Sequence, residues 1–234
     1  MIDQEKNPQI LLMKDSKSDE NKQQIIRLTS VDLDGKVGNE LTKLVYGEYI
    51  DMLPSIYGLL GFVYENHFYL YNPAMQEFLS LLEGSSSPCD DHGAGFGYVI
   101  STKECKMVHM FTRSESSIGL DIGCEILTLS NGDAACSCSW KVIDQCCPYP
   151  ITDCALLINN VFYWTIDDKR GNSSDYVLIL VLILEEENFR TIRLPEPNSY
   201  DEENYMFLVE LRGFLCLVDY FSIPPMMNIW TLKD

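Results

Sequence analysis

The chain has 234 residues, of which 46% are hydrophobic, and its formal net charge of -18 comes from 35 acidic and 17 basic side chains. This length is enough to bury a sizeable core, either as one large all-β domain or as two ordinary domains. An acidic surface of this kind repels phosphate backbones and anionic lipid, which argues against nucleic-acid and membrane-surface roles.

The hydrophobic segments include neither a predicted membrane-spanning helix nor a signal peptide. We therefore expect the protein in the cytoplasm, the nucleus or both. The longest apolar run, residues 176–184, is far shorter than the roughly 20 residues of a membrane-spanning helix. It predicts instead a strand that is buried on both faces. The N-terminus has no apolar segment of the signal-peptide type, so we expect no secretion.

The nine cysteines predict reduced, buried thiols rather than a disulfide framework, because no secretion signal accompanies them. Five of them form a dense group, but their spacing does not give the two Cys-x2-4-Cys knuckles of a structural zinc site. We therefore predict no metal and no cofactor. The group comprises Cys136, Cys138, Cys146, Cys147 and Cys154.

The N-terminal region predicts a hairpin followed by irregular chain. Residues 9–13 and 23–31 have the composition of two strands, and a long charged loop separates them. Residues 32–36 form a turn, and the segment from there to Tyr57 shows no clear pattern.

Residues 58–73 contain the clearest structural unit of the chain. An apolar strand is followed by a turn at Glu65-Asn66 and by a strand of alternating aromatic residues. The pair Asn72-Pro73 ends that strand, since proline has no N–H to donate to a ladder. A further strand at 77–82 completes a β-meander, and a loop rich in Gly, Ser and Asp follows it.

The same arrangement of strands recurs along the chain, in units that begin near residues 95, 155 and 206. Equivalent third strands lie around Tyr71, Ile126, Leu180 and Ile229, about 50 residues apart, close to the roughly 40–50 residues of a propeller blade. No long stretch has the apolar periodicity of a helix. The sequence therefore predicts an all-β, kelch-like β-propeller of about four recognisable antiparallel meanders, whether complete or incomplete.

The ordered series of these segments resembles the plant F-box-associated domain, the kelch-like C-terminal region of plant F-box proteins that include the S-locus type. That resemblance implies the substrate-recognition part of an SCF-type ubiquitin ligase. The residues that carry it are Gly58-Leu59-Leu60 with Tyr71-Asn72-Pro73, Gly95-Phe96-Gly97-Tyr98, Glu125 to Leu129 with Ser139 to Ile143, Asn160 to Trp164, Leu182 to Pro195, Leu211 to Leu217 and Ile229 to Asp234.

Two departures from the family pattern affect what the resemblance implies. The sequence does not contain the N-terminal F-box, the helical module that docks on the adaptor of a cullin-RING ligase. It also ends where relatives continue into another strand. We therefore expect one F-box-associated propeller-like domain over residues 1–234, with a truncated C-terminus, which would bind the adaptor only if an F-box were supplied upstream.

The leading functional prediction is a non-catalytic protein-interaction module whose partner is another protein. One alternative is a small-molecule enzyme with a pocket at the propeller axis, because a fold does not fix a function. Another is a truncated remnant with no independent function. Partner-binding residues are predicted in two polar loops, at Arg113 and Glu115 and at Asp167, Asp168, Lys169 and Arg170.

Other polar groups have a structural interpretation beside a functional one. Asp90, Asp91 and His92 have the residue types of a metal or acid–base cluster, yet short Asp/His/Gly loops are common turn chemistry. Residues 185–187, three glutamates, are interpreted as a solvated turn, with salt bridging or recognition as the alternatives. Gly95 and Gly97 are expected to allow tight backbone packing.

The three tryptophans fall at strand positions in successive units. We expect Trp140, Trp164 and Trp230 to pack between sheets, because their large apolar area is suited to such interfaces. An aromatic box that binds a ligand is the alternative.

Overall fold

Antiparallel strands and the turns between them account for the described structure, and no helix occurs within it. The structure is a computed structural model that describes residues 9–18, 23–32, 34, 36–46, 50–87, 93–116, 119–130, 139–147, 151–166, 178–193, 205–221 and 226–232. The strands are β1 (Gln9–Ser18), β2 (Gln23–Asp32), β3 (Val37–Tyr46), β4 (Asp51–Met52), β5 (Leu60–Tyr64), β6 (His67–Asn72), β7 (Glu77–Ser80), β8 (Gly93–Val99), β9 (Glu104–Ser116), β10 (Gly119–Ser130), β11 (Trp140–Cys147), β12 (Ile151–Ile158), β13 (Val161–Ile166), β14 (Leu178–Ile183), β15 (Asn188–Arg193), β16 (Tyr205–Leu211), β17 (Phe214–Phe221) and β18 (Met226–Thr231).

These strands form five meander sheets, each built from consecutive strands. The first sheet contains β1 to β3, the second β4 to β7, the third β8 to β11, the fourth β12 to β15 and the fifth β16 to β18. The predicted third strands are confirmed, because Tyr71, Ile126, Leu180 and Ile229 lie in β6, β10, β14 and β18. The all-β architecture of repeated antiparallel meanders is thus confirmed, as part of a β-propeller.

The interpretation of the segment from residue 37 to Tyr57 as irregular chain is wrong for residues 37–46 and 51–52. Strand β3 pairs with β2 and turns the predicted N-terminal hairpin into a three-stranded sheet, and β4 adds a first strand before β5. The sequence of β3 mixes Asn, Glu, Thr and Lys with its apolar residues, so alternation does not mark it. Pairing with a neighbouring strand, rather than local pattern, establishes such a strand.

The second to fifth sheets pack face to face in sequence order, as blades do in a propeller. One apolar cluster joins the second and third sheets and includes Phe68 and Phe96. Another joins the third and fourth sheets through Val108, Phe162 and Leu182. A smaller one joins the fourth and fifth sheets. Strand β14 lies inside this stack, which confirms the predicted strand with both faces buried for residues 179–182.

Alternate glycines of β8 allow the third and fourth sheets to approach closely. A Cβ atom at Gly95 would lie 2.7 Å from the ring of Phe162, and one at Gly97 would lie 2.1 Å from Leu184 Cδ1. Both distances are shorter than an ordinary van der Waals contact, so a side chain at either position would require Phe162 or Leu184 to move. The expectation of tight packing at Gly95 and Gly97 is therefore confirmed, and the fourth sheet fills the space.

The tryptophan prediction holds for two positions of three. Trp164 is fully buried between the third and fourth sheets, and Trp140 packs against the cluster that joins the second and third sheets. Trp230 is 43% exposed, so the prediction of inter-sheet packing is wrong there. The physical reason is that no described sheet packs against this side chain of β18.

Among the described side chains, the thiols of Cys105, Cys124 and Cys216 form no disulfide. Cys136 and Cys138 lie outside the described residues, as do the side chains of Cys146, Cys147 and Cys154, which complete the dense group. In the described ranges, no helix has the length and apolarity needed to cross a membrane.

Candidate protein-interaction surface

The predicted loop around Arg113 is instead the far end of a long hairpin. Strand β9 continues to Ser116 and β10 begins at Gly119, so the interpretation of Arg113 and Glu115 as loop residues is wrong. The ladder between β9 and β10 runs from one end of the strands to the other, interrupted by one register shift. Arg113 and Ser114 occur within a strand although they are polar, because both are exposed, so composition alone suggested a loop.

Arg113 occupies a β-bulge in this hairpin. Thr112 pairs with Ile122 and Ser114 pairs with Asp121, which leaves Arg113 as the extra residue of β9. Bulges change the direction of a side chain and often lie beside functional sites. The bulge therefore fixes the direction of an exposed cationic side chain on a rigid ribbon.

Two contacts of the Arg113 guanidinium on this ribbon are described. It lies over the ring of Phe111, 5.9 Å from the ring centroid, and its Nη1 is 3.7 Å from Oδ1 of Asp121. The Arg113 and Asp121 side chains are 35% and 50% exposed, so solvent weakens their ion pair. The cation–π contact adds to it, and the guanidinium stays accessible to a partner.

Gly123 makes room for this stack. It lies opposite Phe111 on β10, where a Cβ atom would come within 2.6 Å of Phe111 Cζ and 2.8 Å of Arg113 Nε. A side chain there would displace both groups. The aromatic ring and the guanidinium can therefore lie across the neighbouring strand.

A buried polar network anchors the base of the hairpin. His109 Nδ1 lies 2.9 Å from Glu125 Oε1, and these residues are directly opposite each other in β9 and β10. The backbone N–H and the hydroxyl of Ser85 also donate to the Glu125 carboxylate, at 2.6 and 2.9 Å. Burial alone would raise the pKa of Glu125, but the hydrogen bonds with His109 and Ser85 outweigh it and hold that pKa below its usual value.

This network also ties the segment after β7 to the hairpin. Ser87 Oγ accepts a hydrogen bond of 3.1 Å from the N–H of Thr112, next to Arg113. The ring of His109 packs edge-on against Phe68 of the second sheet, with ring centroids 5.0 Å apart. Contacts from two sheets and from the segment after β7 therefore support the part of the hairpin next to Arg113.

A second polar cluster connects the third and fourth sheets. Glu187, in the turn before β15, accepts hydrogen bonds from Lys106 at 2.8 Å and from Lys141 at 2.6 Å. Burial alone would raise the pKa of Glu187, but these two lysines outweigh it and hold that pKa below its usual value. The interpretation of residues 185–187 as a solvated turn is wrong at Glu187, where salt bridging is correct, because β9 brings the nearly buried Lys106 against the turn.

Several predicted residues cannot be placed in this site. The backbone of Glu115 pairs with Leu120, but its side chain lies outside the described residues. Both Asp167-Asp168-Lys169-Arg170 and Asp90-Asp91-His92 lie outside them as well. Where side chains are described, no group of three or more His, Cys, Asp or Glu is placed to hold a metal ion. These residues and the enzyme alternative stay predictions.

Sequence reasoning missed the partners of Arg113 and the network beneath it. Phe111, Asp121 and Gly123 become neighbours of Arg113 only through the register of β9 with β10. His109 and Glu125 are likewise matched by that register, 16 residues apart. If both predicted strands had been extended across the polar segment, their register would have placed these residues opposite one another. The length of the strands was therefore the information that the sequence did not supply.

Comparison with known sequences gives one family. A family model described as an F-box associated beta propeller domain matches residues 5–234. No curated protein matches the sequence.

Comparison with solved structures gives distant similarities of fold. A single-residue mutant of Synechocystis ACO, an apocarotenoid oxygenase, is 10% identical with a TM-score of 0.53, covering 97% of this chain and 59% of that one. The cobalt-substituted Synechocystis ACO is 11% identical with a TM-score of 0.52, and the match covers the same shares of both chains. An ACO/RPE65 chimera is 9% identical with a TM-score of 0.54, and the match again covers 97% of this chain and 59% of that one. The chain thus spans about three fifths of the length of these proteins, and the likeness shows the fold alone.

Proposed function

Since the chain belongs to the F-box associated beta propeller family, we propose that it is a non-catalytic protein-interaction module that recognises the substrate of an SCF-type ubiquitin ligase. The family match over residues 5–234 is the observation that carries this proposal. We place its action in the cytoplasm, the nucleus or both. Docking on the cullin-ligase adaptor would be the task of an F-box joined to this domain.

The end of the β9–β10 hairpin, with Phe111, Arg113 and Asp121, is the proposed contact surface. It presents an exposed guanidinium on a strand bulge, held over an aromatic ring and supported by the buried Glu125 network. A preorganised arginine of this kind loses little conformational entropy on binding, and arginine is enriched among the residues that dominate binding energies. Glu115 and residues 167–170 are proposed to contribute to the same recognition.

Affinity capture with a charge-reversed variant tests the proposal. The wild-type chain should capture a specific protein, and Arg113→Glu should reduce its recovery by about 10-fold or more, as expected for loss of a binding hot spot. Quantitative mass spectrometry of the captured proteins measures the change.

The matched control is Arg190→Glu, which reverses another exposed arginine that pairs with a carboxylate, Glu186, at 3.0 Å on a different sheet. Recovery should be unchanged with this control. The proposal fails if no captured protein depends on Arg113, or if both reversals reduce recovery equally. A chain joined to an F-box should carry the same partner to the ligase adaptor, whereas the chain alone should not bind the adaptor.

A further inference from the structure

The segment that follows β7, residues 81–87, crosses from the second sheet to the third, and we call it the strap. Its first half is bonded to the second sheet. The N–H of Leu81 donates to the carbonyl of Phe68 at 2.8 Å. Gly84 and Asn66 exchange two hydrogen bonds, at 2.8 and 3.0 Å. The second half lies outside the strands, so its place on the third sheet depends on other contacts.

Three described hydrogen bonds hold the second half of the strap to the third sheet. The N–H and the hydroxyl of Ser85 both donate to the Glu125 carboxylate, at 2.6 and 2.9 Å. The N–H of Thr112 donates to Ser87 Oγ at 3.1 Å. Two of these three bonds therefore end on one carboxylate, and a change at Ser85 affects both of them.

The strap also covers the buried His109–Glu125 pair. A Cβ atom at Gly84 would lie 2.7 Å from both His109 Nδ1 and Glu125 Oε1, so the backbone of the strap packs directly on the pair. Glu125 is only 2% exposed, and its carboxyl is ionised at neutral pH because its pKa lies below the usual value. Water screens such a buried charge weakly, so a second negative charge beside it is strongly repelled.

The serines of the strap lie at the surface of the described structure. Ser86 is exposed, and Ser85 and Ser87 are partly exposed on either side of it. Segments outside strands that are held by few contacts open locally at a low cost in free energy. An opening of this kind presents the Ser85 hydroxyl to an enzyme while both sheets stay folded.

We propose that Ser85 is a phosphorylation site and that its phosphate keeps the strap open. A protein kinase would catalyse attack of the Ser85 oxygen on the γ-phosphorus of a nucleoside triphosphate. The new O–P bond forms as the bond from the γ-phosphorus to the bridging oxygen breaks. The nucleoside diphosphate leaves, and the hydroxyl proton passes to a base of the kinase. The product carries a charge of about −1.5 to −2 at pH 7 and has lost the hydroxyl donor.

Closing the strap again would bring this phosphate against the Glu125 carboxylate, so repulsion favours the open form. Opening also removes the Ser87 acceptor from the N–H of Thr112, next to Arg113. Phosphorylation should therefore weaken binding at the end of the β9–β10 hairpin. That regulatory step rests on the proposed function, whereas the opening of the strap does not.

Chains made with phosphoserine at one position test the opening. Amide hydrogen exchange followed by NMR should show the Thr112 amide exchanging at least about 10-fold faster with phosphoserine at position 85 than in the unmodified chain. The Leu81 amide, which is bonded to the second sheet, should be unchanged. The matched control is phosphoserine at the exposed position 86, which should alter exchange at Thr112 by less than about 3-fold. Unchanged exchange with phosphoserine at 85, or equal acceleration by both, would overturn the proposal.

Two substitutions separate the added charge from the lost hydroxyl. Ser85→Ala removes the hydroxyl donor without adding charge, so it should accelerate exchange at Thr112 less than phosphoserine does. Glu125→Gln removes the charge that opposes the phosphate, so in this background phosphoserine at 85 should change exchange by less than about 3-fold. Equal opening by Ser85→Ala, or a full effect of the phosphate in Glu125→Gln, would show that repulsion is not the cause.

Two further measurements address the modification and its consequence. Phosphopeptide mapping of the chain isolated from the cells that make it, with phosphatases inhibited, should find phosphate on Ser85, and its absence there would overturn the site. Capture of the Arg113-dependent partner should fall by about 10-fold with phosphoserine at 85. If the strap opens but capture is unchanged, the regulatory step is wrong. If the unmodified chain captures no such partner, the proposed function fails, and the exchange experiment still decides the strap proposal.

Discussion

Strands β14 and β18 occupy the same place in successive sheets but have opposite environments. Leu180 of β14 is 1% exposed, between β13 and β15 and beneath the third sheet, whereas Ile229 of β18 is 48% exposed. Both strands are rich in large apolar residues, so apolarity does not account for the difference. The difference is explained by the fourth strand and the facing sheet that cover β14. Burial of a strand in this protein therefore depends on the elements packed around it.

The largest expected effect comes from shortening the two equivalent side chains. Leu180→Ala should lower the free energy of unfolding by about 2–5 kcal/mol, because it leaves a cavity in a packed interface. Ile229→Ala should lower it by less than about 1 kcal/mol, since that side chain is half exposed. Urea unfolding followed by circular dichroism measures both. Equal losses would show that β18 is packed as tightly as β14.

A second test concerns the close approach that encloses β14. Gly95→Ala places a methyl group against the buried ring of Phe162, so we expect a loss of about 1–3 kcal/mol from overpacking. Gly61→Ala is the matched control in the second sheet, where the nearest side-chain atom would be 3.1 Å away. Its loss should be smaller. A tolerated Gly95→Ala in the same unfolding experiment would mean that the two sheets are not in close contact.

A third, smaller effect concerns the ionic link across that interface. Glu187→Gln removes the carboxylate that pairs with Lys106 and Lys141, and should cost about 1–3 kcal/mol at neutral pH. Glu186→Gln changes only an exposed pair with Arg190 and should cost less than about 0.5 kcal/mol. Urea unfolding at neutral pH compares the two variants.

The contribution of Glu187 should also depend on pH in a defined direction. Because its folded-state pKa lies below the ordinary value of 4.5, its stabilisation is present above that value and is lost as the pH falls through the folded-state pKa. The gap between the wild type and Glu187→Gln should therefore shrink in acid. A gap that stays constant between neutral pH and about pH 3 would contradict the pairing.

Strand order and blade period could be predicted from the sequence, because they follow from local signals. The turn at Glu65-Asn66, the Asn72-Pro73 stop and the spacing of third strands all survive in the structure. Asn72 shows why, since its Oδ1 accepts hydrogen bonds from the N–H groups of Ala74 and Met75 and so builds the turn itself.

What the sequence did not predict depends on partners distant along the chain. Strand β3 is held by its ladder with β2, the Arg113 bulge by the register of β10, and Glu187 by a lysine of another sheet. None of these partners can be identified from a short stretch of sequence around the residue concerned. The exposure of Trp230 was missed for the same reason, because the residues of β18 do not show whether a sheet packs against them, and in the described structure none does.

Native-state hydrogen exchange compares β14 and β18 most directly. Amides of β14 should exchange slowly, because neighbours on both sides and a facing sheet protect them. The outward amides of β18, at Met227, Ile229 and Thr231, should exchange at least about 100-fold faster, since no described strand pairs with them. Protection at these three amides equal to that of β14 would contradict the account, because it would mean that the edge of the fifth sheet is already covered.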